Sequence, residues 1–355
     1  MMGLMIGGFA MRSFIIFMLM LVALPLKAAN VTAMAEGLEN PWAIAFMPDG
    51  QFLVSERVGR LSCHDGQGNS QLLEGLPPVR VRGQGGLLDV ITARDFAQSK
   101  RIYFTYSEPV GQAGRTALAT ATVDCGRGLL QNVTKLYAQD EASSAGVHFG
   151  SRVVTRDDGL LFLTIGDRGQ RDLAQLPERS EGKIMLIDPK AGTARVWSIG
   201  HRNPQGAGLD LENRLIAVEH GPQGGDEVNR PQDGLNYGWP LVTYGEEYGG
   251  GPIGLGASAD GLEEPLFHWT PSIAPSGLMI YSGKMFPEWK GHLFTGSLKF
   301  DYISKLKPTG ERFGDEERLF QDQYIRIRDI REAPDGSIWF IAEGEGRVYR
   351  WAKNP

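Results

Sequence analysis

The chain has 355 residues, 42% hydrophobic and 22% charged, with a formal net charge of −6. That composition is ordinary for a globular protein and excludes a disordered or collagen-like chain. The acidic balance carries no basic block, which excludes nucleic acid and anionic membrane surfaces as partners. Glycine is the outlier at 47 residues, roughly twice its usual share, and points to many tight turns.

At the N-terminus Arg12 precedes the apolar run SFIIFMLMLVALPL, and the small pair Ala28-Ala29 follows it. This is the arrangement of a secretory signal, predicted over residues 1–29. The run is about 14 residues, short of the roughly 20 that cross a bilayer. No span is expected after cleavage, and residues 30–355 are expected as one periplasmic or secreted domain. Cleavage removes Arg12 and Lys27 and no acid, which takes the net charge to −8. In that setting Cys63 and Cys125 can pair. Their positions leave pairing open, and neither has metal-ligand spacing.

From residue 40 onward the chain shows short β-branched and aromatic runs cut by turn signals, with no long amphipathic helix. The stretches WAIAFMPDGQFLVSE (42–56), SRVVTRDDGLLFLTIGD (151–167) and IRDIREAPDGSIWFIAE (327–343) each read as strand, acidic-Gly turn, strand. Weaker copies stand at 85–108, 207–221 and 276–298. Six hairpins at intervals of roughly 45 to 70 residues predict an all-β fold, a six-bladed β-propeller. A sandwich or a two-domain all-β chain is the alternative. A propeller places its site at the mouth of the central channel, so the active residues should be scattered along the chain.

The loops between the hairpins hold the polar groups. GQGGLLD carries Gln84, VHFGSR carries His148, and GHRNPQG carries Arg202 and Asn203. EHGPQGGDE (219–227) is a glycine-rich turn with Glu219, Asp226 and Glu227. SLKFD carries Lys299, and YIRIRD carries Arg326 and Arg328, whose alternation puts them on one strand face. Lys299, Arg326, Arg328 and Arg202 would converge from three blades, and four cations need an anion between them. The backbone carbonyls of Gly221 and Pro222 suit a hard cation such as Ca²⁺. A polyanionic ligand together with a metal is the expectation.

These motifs, with NPWAIAFMPDG, NYGWP, PSIAPSG, GSLK and RIRD, resemble those of the soluble sugar dehydrogenases dependent on pyrroloquinoline quinone (PQQ), the glucose/sorbosone dehydrogenase family. The resemblance runs from about residue 40 to the C-terminus and implies a six-bladed propeller that binds PQQ and Ca²⁺. It implies His148 as catalytic base, with Gln84, Arg202, Asn203, Tyr248, Ser272, Lys299, Arg326 and Arg328 on PQQ. Gly221 and Pro222 correspond to carbonyl ligands of the Ca²⁺ on PQQ, and Glu227 and Tyr237 to a second, structural Ca²⁺. Two positions depart from the soluble glucose dehydrogenases: Val147 stands where they have an acid, and His220 where they have Gln.

The expected reaction is oxidation of an aldose at C1 to the lactone. His148 takes the hydroxyl proton, hydride passes to C5 of PQQ, and Arg202 with Ca²⁺ stabilises the charge formed there. Electrons then leave to an external acceptor. The loop Gly245–Leu262 is expected to border the sugar. A Ca²⁺-dependent propeller lactonase and a non-enzymatic glycan-binding propeller are the rival readings, and monomer and dimer both remain open.

Overall fold

A computed structural model of the chain describes residues 30–354, and the expected signal segment lies outside them. Six four-stranded antiparallel sheets surround a central axis as a six-bladed β-propeller. The strands nearest the axis are Pro41–Phe46, Leu87–Thr92, Val153–Thr155, Pro204–Leu209, Pro275–Ile280 and Ile327–Glu332. Each expected hairpin supplies the two innermost strands of one blade. Among the described residues the one α-helix is the single turn Phe96–Ser99, and no helix is long and apolar enough to cross a membrane.

The second strands are buried on both faces because each blade packs between two others. Phe52–Glu56, Leu161–Ile165 and Ile338–Ala342 are buried at every position. That is why they read as continuous apolar runs instead of alternating ones. The last blade closes in a way the sequence reading did not anticipate. Its outer strand is Asn30–Ala35, which pairs antiparallel with Arg347–Ala352, so the first and last described strands share one sheet. Cys63 and Cys125 form a disulfide with a Cα–Cα distance of 5.8 Å, tying the first blade to the second.

Irregularities in the inner strands shape the site. Register shifts fall at Pro41/Ala43, Leu87/Val90, Pro204/Gly206, Pro275/Leu278 and Ile327/Asp329. Such bulges re-aim side chains at barrel rims. Trp42, Leu88, Gln205 and Arg328 sit at these shifts, and all four line the cavity described below.

Beneath that cavity the axis is filled by charge. The Arg152 guanidinium lies 3.3 Å from Asp89 and 3.0 Å from Asp329, and Arg331 reaches the same two carboxylates at 2.8 and 3.0 Å. Arg152 also donates to the carbonyls of Gln205 and Arg328 and lies over the Trp42 ring. Asp89 accepts from the Val153 amide and Asp329 from the Ile44 amide. Gly277 completes the circle, since a Cβ there would stand 2.2 Å from Asp329 Oδ1. Every blade therefore touches the network.

Removing one partner from a buried ion network leaves uncompensated charge, at a cost of about 3–5 kcal/mol. Arg152→Ala is expected to lower stability by about that amount in urea unfolding. A loss below about 1 kcal/mol would show that the network does not hold the blades together.

Candidate active site

Above the ion network lies a cavity of about 450 Å³, lined among others by Trp42, Arg57, Gln84, Gln205, His220, Lys299, Arg326, Arg328 and Glu343. Glu343 accepts from Arg326 Nε at 3.0 Å and Arg328 Nε at 2.9 Å, with Arg57 at 3.8 Å. Burial alone would raise the Glu343 carboxyl; Arg328 and Arg326 outweigh it and hold it below its ordinary value. Burial drives the His220 ring down to about 3, so it is neutral and bonds the Pro275 carbonyl at 2.8 Å. The cavity thus carries four cations and one carboxylate, three net positive charges in a chain whose overall charge is −6.

Two details differ from the sequence reading. The inner strand of the last blade begins at Ile327, so Arg326 precedes it, at φ 61°. The two arginines meet through Glu343 and not by alternation along a strand. Arg202, expected in the cation cluster, is absent from the cavity lining, and Arg57 from the first blade stands in its place. A signal for Glu343 was present in the hairpins. In five of the six an acid stands within two residues of the end of the second strand: Glu56, Glu108, Asp167, Glu219 and Glu343. The repeat sets a carboxylate near the same strand end in blade after blade, and Glu343 is the one that lines the cavity.

Asp167 is the second residue this pattern would have found. Its Oδ1 lies 2.6 Å from His148 Nδ1 and accepts from the Gly169 amide at 2.7 Å, while Oδ2 accepts from Trp239 Nε1 at 2.8 Å. Burial pushes the Asp167 carboxyl up, but the bond with His148 and these amide and indole donors win, so it lies below its ordinary value. With Nδ1 occupied, His148 presents Nε2 as its free basic nitrogen. Its backbone is left-handed at φ 52°, which few non-glycine residues adopt outside functional or turn positions. The amide of His148 donates to Gln84 Oε1 at 2.7 Å, which ties it to the cavity wall.

Arg202 lies against Trp239, outside the cavity lining. Its guanidinium lies over that ring at 5.3 Å and donates to the His220 carbonyl and the Tyr248 hydroxyl. Its Nε and Asn203 Nδ2 are buried without a hydrogen-bond partner among the described residues. Tyr248 is 72% exposed, in a loop held by a two-pronged ion pair from Arg171 to Glu247. Ser272 is tied into the glycine-rich turn through Asp226 and the Gly224 amide, and is not among the cavity residues. Lys299 lines the cavity, its ammonium over Phe300 at 4.9 Å.

His201 is buried and structural, bonded by Glu219 at 2.9 Å and Ser198 at 2.8 Å and stacked on Tyr237. Beside it is a cleft of about 10 Å³ lined by Glu219, Gly221, Glu227 and Tyr237, about the volume one small atom occupies. Gly221 is required there, since a Cβ would stand 2.3 Å from the carbonyl oxygens of Gly224 and Gly225. Burial and the nearby Glu219 push the Glu227 carboxyl up to about 8. Among the described residues no three His, Cys, Asp or Glu side chains cluster as metal ligands. A cation here would have to draw on backbone carbonyls as well.

The sequence profile described as Glucose / Sorbosone dehydrogenase matches residues 38–350. The chain belongs to the glucose/sorbosone dehydrogenase family. It is 38% identical over 334 residues to the aldose sugar dehydrogenase YliI of Escherichia coli (strain K12), covering 88% of this chain and 90% of that protein. The apo-form structure of the soluble aldose sugar dehydrogenase from Escherichia coli superposes with a TM-score of 0.87 at 36% identity, over 92% of this chain and 100% of that one. The PQQ-bound aldose sugar dehydrogenase from Streptomyces coelicolor gives 0.75 at 25% identity, over 93% and 99%. The six-bladed architecture and the family resemblance read from the motifs thus both hold.

Glu227 gives a test that needs no ligand. Its folded pKa is raised to about 8 from an ordinary 4.5. Between those values the folded chain holds a proton that the unfolded chain has lost, so stability must fall as pH rises. In chelator, urea midpoints should drop from pH 5 to pH 8, and Glu227→Gln should flatten that dependence. An equal drop in both proteins would place the cause elsewhere.

Proposed function

We propose that the protein is a PQQ- and Ca²⁺-dependent aldose dehydrogenase that oxidises the sugar at C1 to the lactone. The observation that carries this reading is the cavity with three net positive charges beside the His148–Asp167 pair. PQQ has three carboxylates, so its charge balances that of the cavity. Outside the lining but bonded to it, Arg202 Nε and Asn203 Nδ2 are buried donors without a partner among the described residues, and an unpartnered buried donor costs about 1–3 kcal/mol. The PQQ bound to the Streptomyces coelicolor relative supports the same reading.

In this account Lys299, Arg57, Arg326 and Arg328 hold the carboxylates, Arg by its planar fork and Lys as a point charge. Gln84, Asn203 and Arg202 orient the ring system, with Tyr248 and Ser272 at its edge. The carbonyls of Gly221 and Pro222 hold the cofactor's Ca²⁺, and Glu227 with Tyr237 holds a second one. A dication there would favour the ionised form of Glu227. When bound, PQQ with Ca²⁺ would supply the oxidant, an ortho-quinone able to take up the two electrons that leave C1 of the sugar.

The chain's own part is proton chemistry and placement. His148 Nε2 takes the C1 hydroxyl proton, and Asp167 stabilises the imidazolium that forms. The aldose thereby loses one proton to His148 and one hydride to the oxidant, which leaves the lactone. The loop Gly245–Leu262, with exposed Tyr248, borders the sugar. A lactonase has no use for three net positive charges, and a glycan-binding propeller has no use for a free, carboxylate-backed imidazole. The apolar leader and the disulfide support a periplasmic or secreted location, where disulfides persist, and an electron acceptor outside the chain.

The test combines purified apo-protein, PQQ and Ca²⁺ with an aldose panel and a redox dye. Aldose-dependent dye reduction is expected, and none with any sugar would refute the proposal. His148→Ala should bind PQQ normally and lose about 10²- to 10⁴-fold in turnover. Near-normal turnover would remove His148 from the mechanism.

A further inference from the structure

The NYGWP motif contributes Trp239, which no sequence argument gave a role. Its indole N–H donates to Asp167 Oδ2 at 2.8 Å, while the other carboxylate oxygen holds His148 Nδ1 at 2.6 Å. The Trp239 amide donates to the Gly200 carbonyl at 2.9 Å, and its own carbonyl accepts from Gln175 Nε2 at 2.7 Å. Ala174 and Ile253 pack beside the buried ring. The Arg202 guanidinium lies over that ring at 5.3 Å. One rigid side chain, fixed at both of its backbone polar groups, touches the partner of His148 by its edge and carries Arg202 on its face.

We propose that Trp239 is a positioning residue that sets the basicity of His148 through Asp167 and holds Arg202 in register with that pair. This rests on the reading of His148 as the base. The physical logic is competition for one carboxylate. A donor on Oδ2 draws negative charge away from Oδ1, which weakens the pull of Asp167 on the imidazolium and keeps His148 from becoming too basic. Loss of that donor concentrates charge on the oxygen facing His148 and raises its pKa. The other charged or titratable groups around the pair are Arg168 and Arg171 from the loop after Asp167, and Arg202 and His220 from the next blade. None of their side chains donates to the Asp167 carboxylate. Arg168 is spent on the carbonyls of Val147 and Ala145, and Arg171 on Glu247. Trp239 is thus the side chain that tunes Oδ2. The two roles separate by chemistry, because the edge donates and the face carries the cation.

Trp239→Phe keeps the face and deletes the donor. The His148 ring signal is followed by NMR through a pH titration of the apo-protein, assigned by its absence in His148→Ala. Its midpoint in Trp239→Phe should rise by about half to one pH unit, and the acid limb of kcat/KM in loaded enzyme should rise with it. Turnover should fall about three- to tenfold, with KM for the aldose little changed. Trp239→Leu removes the face too and should also weaken PQQ binding. Replacing Trp239 by the isosteric benzothienylalanine, which lacks only the N–H, gives the same readout should Phe unsettle the loop. A His148 midpoint that stays put or falls in both variants would overturn the proposal. Should that happen while His148→Ala is inactive, only the role of Trp239 is lost; should His148→Ala remain active, the underlying reading of the base is lost instead.

Discussion

Everything in this fold is referred to the buried ion network on the axis. Arg152, Arg331, Asp89 and Asp329 come from the inner edges of three blades, and their remaining bonds reach the backbone of the blades between them. A buried ion network is a weak source of stability, because desolvation offsets much of the attraction. Its value is geometric. Two guanidinium forks and two carboxylates have few satisfactory arrangements, and each arrangement fixes the height and rotation of the strands that carry them. The network also closes the channel, so the cavity above it is a cup with a floor. Arg152 bonds the carbonyls of Gln205 and Arg328, the two bulge residues whose side chains line that floor.

The chemistry above the floor comes from one repeated device used differently in each blade. Five hairpins carry an acid within two residues of the end of the second strand, and the local partner decides its role. Glu56 and Glu108 meet arginine or lysine at the rim. Glu343 organises two arginines over the cup, Asp167 backs an imidazole, and Glu219 holds His201 and the Arg202 amide. Excess cation on one side and a backed base on the other follow from this distribution. It is the arrangement that removal of a proton and a hydride toward a polyanionic oxidant would need.

How much of this the sequence declared depends on the range of the interaction. The six hairpins were legible because Asp-Gly turns and buried second strands are local signals, at work in Pro48–Gly50 and Pro334–Gly336 alike. The closing strand Asn30–Ala35 was not, since its register is set by a partner at the far end of the chain. His148, Gln84, Lys299, Arg326 and Arg328 were found as polar residues in loops that a propeller gathers at one mouth. The orientation of Arg202 was missed because the Trp239 face that carries it comes from a different loop. Asp167 and Glu343 hold positions that recur in the hairpins, but what sets them apart is the partner each meets from another segment, His148 for one and Arg326 with Arg328 for the other. The disulfide depended on tertiary proximity alone.

The central claim is that the cup's three net positive charges are there to hold trianionic PQQ. The direct measurement is calorimetric titration of PQQ into the Ca²⁺-loaded apo-protein, with Arg326→Ala and Lys299→Ala beside the wild type. The account expects one PQQ per chain, affinity that weakens with added salt, and a loss of about ten- to a hundredfold in each variant. Binding that ignores salt and both substitutions, or no binding at all, would contradict it.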